Sequence, residues 1–232
     1  MVVLATKVYV EGGARERAMD SLRSMLGNDL ADLEVEWSLG LRHDEFPSVT
    51  LSGPDETAAR NLLREEWGEV TTSREPGEVY VGTLESWDDD GFVLDAGEPV
   101  RVPVEEFGLG PGTSAQVRER FGMVQHLRLR FVEGSDASDG GDAGEPPRLA
   151  DAERDRLYDW TRGPGRVNVN SATRSEVRAT VNRAGHARDV VTVERLGLLE
   201  QSIVCAEGTD PPGLLAAIGS YLPAELRCVV TD

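Results

Sequence analysis

EVYVGTLESWDDDGFVLDAGEPVRVPVEEFGLGPGTSAQVRERFGMVQHLRLRFVE, residues 78–133, alternates apolar and polar side chains at strand period in several places. Val79 and Val81 alternate with Tyr80, and Asp90-Gly91 is a two-residue hairpin signal between apolar alternations. Phe92 and Leu94 follow, and Gly97 turns the chain into Val100, Val102 and Val104. Gly82 within the first strand predicts a bulge that lets a long strand bend. Ser114 to Phe121 reads as a short helix. Leu127, Leu129 and Phe131 then alternate with Arg128 and Arg130.

Three strands, a helix, then one or two strands is the order of a five-stranded OB-like β-barrel. Such barrels bind oligonucleotides by stacking bases on aromatic side chains of one face. Tyr80, Trp87, Phe92, Arg101 and His126 are therefore candidate base contacts, with Arg128 and Arg130 as phosphate contacts. Two features work against this. Alternation puts either Phe92 or Val93 in the core, and Asp88, Asp89 and Asp90 would repel phosphate beside an exposed Trp87.

Outward from this stretch, residues 1–73 read as a βαββαβ unit. Val8 and Val10 suggest its first strand, and Ala18, Leu22 and Leu26 the face of a helix. Val35 to Leu41 and Val49 to Leu51 suggest a strand pair. Ala59, Leu63 and Trp67 mark a second helix and Val70 a short last strand. The barrel is assigned to 74–132. Residues 133–147, EGSDASDGGDAGEPP, lack any large apolar side chain and are expected to form an acidic linker or long loop. Residues 148–232 repeat the βαββαβ order after a leading helix, Leu149 to Trp160, with a capping-box pair at Thr173 and Glu176. The expected fold class is α+β, two ferredoxin-like units flanking a central OB-like barrel.

The formal charge is -18, from 42 acids against 24 bases, and Lys7 is the single lysine. This suits a halophilic protein, whose acidic surface is tolerated in screening salt. The bases are unevenly spread: counted along the sequence, residues 1–73 carry net -7, 74–147 net -10 and 148–232 net -1. In the last third Asn168, Asn170, Arg174, Arg178 and Arg188 cluster, the residue types that position phosphates. A solvated helix face pairing with Glu176, Asp189 and Glu194 is the competing explanation.

No P-loop, G-x-S-x-G, H-E-x-x-H or Cys/His metal set occurs, so no enzyme, metal or cofactor is expected. Asp210-Pro211-Pro212-Gly213 superficially resembles the ligand loop of amino-acid-sensing ACT modules, but its position in the chain differs. A helix start capped by Asp210 accounts for it. Asn168 to Glu176 also resembles the entry to a helix-hairpin-helix, which the strands expected after it exclude as a fold. Cys205 and Cys228 fall on strands separated by the first strand of their unit, so both are expected to be free thiols. The absence of a membrane-spanning run or signal pattern gives the expectation of a soluble, cytoplasmic protein.

VYVGTLESWDDDGFVLDAG (79–97), FGMVQHLRL (121–129), GHARDVVTVERLGLLE (185–200) and CAEGTDPPGLLAAIG (205–219) together resemble an archaeal family known as domain of unknown function 2110. The resemblance implies an archaeal, cytoplasmic protein and carries no activity. The barrel alone resembles RNA-binding OB modules at the level of fold. The expected function is a non-enzymatic RNA-binding, information-processing accessory protein, with barrel and third unit forming one surface. Two alternatives stand beside it. One is an interaction scaffold docking on a transcription or translation complex. The other is a small-ligand regulatory module using the Asp210 turn.

Overall fold

A computed structural model describes residues 1–135 and 144–230. Within them the chain is α+β, with six α-helices and three antiparallel sheets.

The first sheet has the order β1-β3-β2, from β1 (Val2–Val3), β2 (Glu36–Leu41) and β3 (Pro47–Ser52). Helix α1 (Gly12–Asp29) buries Ala18, Leu22 and Leu26 against it, and α2 (Glu56–Trp67) buries Ala59, Leu63 and Trp67. The first strand expected around Val8 and Val10 is not there. The continuous apolar run Val2-Val3-Leu4 makes the strand instead, and residues 5–11 run as irregular chain with Val8 fully buried. The last strand is reduced to a bridge between Leu4 and Glu69. Gly68 ends α2 at φ +68°, where an added Cβ would meet Val81 at 3.0 Å and Ala5 at 3.2 Å. Both the left-handed backbone and the close approach of the two units require glycine there.

The central sheet runs β6-β5-β4-β7-β8, from β4 (Val79–Asp88), β5 (Gly91–Asp95), β6 (Pro99–Pro103), β7 (Arg128–Val132) and β8 (Arg148–Leu149). It curls into a half-barrel whose end strands β6 and β8 approach each other, with no ladder between them. A 3-10 turn (Val104–Glu106) and α3 (Ser114–Arg120) lie between β6 and β7. Leu84, Phe92, Leu94, Leu129 and Phe131 fill the inside, so Phe92 is core, stacked on Phe107 with centroids 4.0 Å apart. Gly82 is not at the bulge. The register shifts between Leu84 and Ser86, so Glu85 is the extra residue. Gly82 serves close packing: a Cβ there would lie 2.9 Å from that of Leu94.

Residues 136–143 of the expected linker lie outside the described residues. Its flanks are tied together, Ser135 N donating to Glu145 O at 2.8 Å and Glu145 N to Ser135 Oγ at 3.0 Å. Phe131 pairs with Leu149 and Val132 with Arg148, so the segment joins two strands of one sheet. Helix α4 (Asp151–Arg162), expected to lead the third unit, instead buries Leu157 and Trp160 in the central core. Its apolar stripe was readable, but periodicity does not say which sheet the stripe covers.

The third sheet runs β10-β11-β9-β12, from β9 (Arg166–Val169), β10 (Val190–Arg195), β11 (Gln201–Cys205) and β12 (Leu226–Val229). Helices α5 (Arg174–Arg183) and α6 (Pro211–Gly219) complete the unit. The capping box at Thr173 and Glu176 is present, and Asp210 caps α6 by accepting from Gly213 N at 3.0 Å. Strand β9 separates β11 from β12, and Cys205 and Cys228 are free. The turn after β10 interlocks the units. Leu198 and Leu199 enter the first core while Leu196 enters the central one.

Candidate anion-binding cleft at the junction of three units

Strand alternation decides how the cleft begins. With Leu129 and Phe131 inside the half-barrel, Arg128 and Arg130 point outward from β7, beside Val81 of β4. The C-terminal end of α2, helix α4 and strand β10 rise around this outer face. They enclose a cleft of about 550 Å³ lined by five arginines (128, 130, 156, 174 and 195) and four glutamates (65, 66, 153 and 194). A neighbouring groove of about 470 Å³ shares Glu65, Val81, Arg128 and Arg130 and extends to Tyr80.

Several of these charges are already matched. Glu153, only 1% exposed, accepts from Arg156 Nε at 2.9 Å and from Arg130 N at 3.2 Å, with Arg130 Nη1 at 3.5 Å. Arg195 pairs with Glu66 and lies 4.4 Å over the Trp67 ring. Glu194 is held by Arg166 at 3.0 Å. Arg128 is different. Its Nε is sealed from solvent without a partner, its nearest acceptor is the Glu66 carbonyl at 3.5 Å, and among the described residues it has no carboxylate partner. Burial, reinforced by the charges of Arg156, Arg130 and Arg195, brings its pKa down to about 10. Among the described residues Arg174 donates only to the Val193 carbonyl, at 2.6 Å.

Behind the cleft lies a polar network that the sequence reading missed. Lys7, almost fully buried, reaches Glu85 at 2.9 Å and Asp95 at 2.7 Å. The bulge at Glu85 aims its carboxylate at this lysine and at His126 Nδ1, 3.3 Å away. Burial would raise the Glu85 pKa, but hydrogen bonds from His126 and Lys7 and the lysine's charge outweigh it and hold the group at about 2. Tyr9 Oη donates to Glu200 Oε1 at 2.7 Å and accepts from Ser171 N at 2.9 Å, joining first and third units. Burial pushes Glu200 up to about 8 despite the Tyr9 hydrogen bond and the nearby Arg128 charge. Its Oε2 has no hydrogen-bond partner among the described residues. Lys7, as the single lysine, was a signal for this network, and His126 was a candidate for a different role. Arg156 carried none.

The candidates named from sequence divide accordingly. Arg128, Arg130 and Arg174 share the cleft, and Tyr80 lines the adjoining groove, its hydroxyl accepting from Glu75 N at 2.8 Å. Others are engaged within the fold. Trp87 was expected to be exposed but is half-buried under the Arg118 guanidinium at 3.6 Å. Arg101 pairs with Asp88 and Asp90 at the hairpin tip. His126, at φ +64°, stacks on Tyr9 with centroids 3.8 Å apart.

Asn168 and Asn170 are buried sutures to the central unit, not phosphate contacts: their Nδ2 atoms donate to Gly122 O at 2.9 Å and Gln125 O at 3.2 Å. Arg178 and Arg188 are exposed and lie outside the cleft, Arg178 lining a separate groove of about 240 Å³ between α5 and β10.

Among the described residues no group of three His, Cys, Asp or Glu side chains is placed to hold a metal ion. None of the described helices is long and apolar enough to cross a membrane. No curated protein matches the chain. Family models do match it throughout: the DUF2110 N-terminal domain over residues 1–73, the DUF2110 central domain over 74–161 and the DUF2110 C-terminal domain over 164–230. The last boundary falls after α4, the helix that the central core absorbs. The chain belongs to the DUF2110 family.

Proposed function

We propose that this protein is a non-enzymatic RNA-binding accessory protein that grips the phosphate backbone in the junction cleft. In this reading the outer units are ferredoxin-like, the half-barrel is an OB-like module, and the setting is a haloarchaeal cytoplasm near the transcription or translation machinery. The observation that carries it is the convergence of Arg128 and Arg130 from β7 with Arg174 from α5 on one cleft, where Arg130 shares Glu153 with Arg156 and neither Arg128 nor Arg174 has a carboxylate partner among the described residues. Base stacking contributes little here, because Trp87 and His126 are covered by Arg118 and Tyr9. Binding is therefore electrostatic and weakly sequence-dependent.

Three phosphate contacts on a single strand give a slope of about -2 in log affinity against log salt. Fluorescence anisotropy of a labelled single-stranded RNA, titrated with the full chain over a salt series, measures this. Replacing Arg130 and Arg174 by glutamine should flatten the slope by one or more units. Absence of binding at low salt, or binding indifferent to these replacements, overturns the reading.

A further inference from the structure

The charges of the cleft do not cancel. Arg195 with Glu66, Arg166 with Glu194 and Arg156 with Glu153 form three matched pairs. Arg128, Arg130 and Arg174 remain against Glu65, which is exposed and has no partner among the described residues. The lining arginines exceed the lining glutamates by one, and Arg166, which neutralises Glu194 from outside the lining, brings the local excess to two positive charges. A guanidinium sealed at its Nε, unpaired and surrounded by three others is costly for a folded chain. A bound anion offsets that cost.

The neighbouring carboxyl does not do so. Glu200 Oε2 and the stem of Arg128 flank Gly197, whose added Cβ would lie 2.0 Å from the former and 3.4 Å from the latter. Glu200 is nonetheless turned to Tyr9, and burial keeps it protonated up to about pH 8. Arg128 is thus left available to a ligand entering from the cleft.

We propose that the cleft is a seat for a phosphate monoester, the terminal phosphate of an RNA strand or of a free nucleotide, gripped by Arg128, Arg130 and Arg174. A monoester carries close to two negative charges at neutral pH and matches the excess, whereas an internal phosphodiester carries one. The volume of about 550 Å³ lies within the range of small-ligand sites, so the seat admits a nucleotide and not merely an ion. Arginine is the residue suited to such a group, because its fork donates two parallel hydrogen bonds to phosphate oxygens. The inference shares the cleft with the RNA reading but does not depend on strand binding.

The test compares one short RNA carrying a 5′-phosphate, a 3′-phosphate or hydroxyl ends, together with adenosine monophosphate, by anisotropy and calorimetry on the full chain. A terminally phosphorylated strand, or the mononucleotide, is expected to bind about tenfold or more tightly than the hydroxyl-ended strand. Arg128→Gln should abolish that preference while leaving the melting temperature unchanged or raised, since it removes an unpaired buried charge. Arg23→Gln, at an exposed position of α1, is the control for net charge.

Equal affinity for all strand ends, with no mononucleotide binding, overturns the seat and leaves the RNA reading standing. Mononucleotide binding with no gain from a longer strand supports the seat and overturns the RNA reading. A phosphate preference that survives Arg128→Gln overturns the assignment of residues.

Discussion

Replacing Glu200 by glutamine should stabilise the protein at neutral pH, an unusual outcome for a fully buried hydrogen-bonded residue. Glu200 is 1% exposed and takes the Tyr9 hydroxyl at 2.7 Å on one oxygen, while the other has no partner among the described residues. Burial is the larger influence and raises its pKa from 4.5 to about 8. Between those values the unfolded chain has lost the proton that the folded chain keeps. The native state therefore binds more protons, and stability falls as pH rises, by about 1.4 kcal/mol per unit.

The loss starts above about pH 4.5, reaches roughly 3 kcal/mol at pH 7 and approaches 5 kcal/mol near pH 8 as upper figures. Glutamine keeps a carbonyl oxygen for Tyr9 and cannot ionise. Urea unfolding of both proteins from pH 4.5 to 8.5 reads the difference, and other titrating groups cancel between them. The variant should match wild type near pH 4.5 and exceed it increasingly up to about pH 8. Parallel curves, or a variant weaker at pH 7 by more than about 1 kcal/mol, would show that Glu200 is ionised and paired with Arg128, and the reasoning would fail.

Lys7→Met leaves the Glu85 and Asp95 carboxylates facing each other without their cation. Because those two are partly exposed, the expected cost is about 2–4 kcal/mol, below the range for a fully buried pair, read as a drop in melting temperature. The Glu85 pKa is depressed, so its contribution is fully present above about pH 4.5 and lost as pH falls through about 2. Acid unfolding of Lys7→Met should accordingly be shallower than that of wild type over this window. Gly82→Ala places a methyl group 2.9 Å from the Leu94 Cβ and should cost about 1–3 kcal/mol by equilibrium unfolding. A neutral result would mean that the half-barrel can open at β4 and β5.

The central strands were readable because alternation at period two directly reports which side chains face a core. Val100 and Val102, and Leu129 and Phe131, point inward as their spacing requires. Thr173 with Glu176, and Asp210 before Pro211, announced helix starts through local hydrogen bonding that needs no distant partner. The candidate site was readable only in part. Arg128 and Arg130 face outward by the same alternation, and Arg174 follows from its helix start. Asn168 and Asn170 have the chemistry of phosphate contacts, yet are spent on carbonyls of the central unit. Residue type suggested a binding role, and the packing of the third unit against the second reassigned them.

What sequence alone determined is the set of strands and helices in the second and third units, the faces they bury, and the concentration of arginine in the last third. These follow from local periodicity and capping, which act over a few residues. The tertiary structure decided where α4 docks, why irregular chain replaces a strand at residues 5–11, and which arginines converge. It also joined Tyr9 to Glu200 across 191 positions of sequence. Such choices depend on which polar group finds a partner once water is excluded, and that partner is supplied by a different unit of the fold.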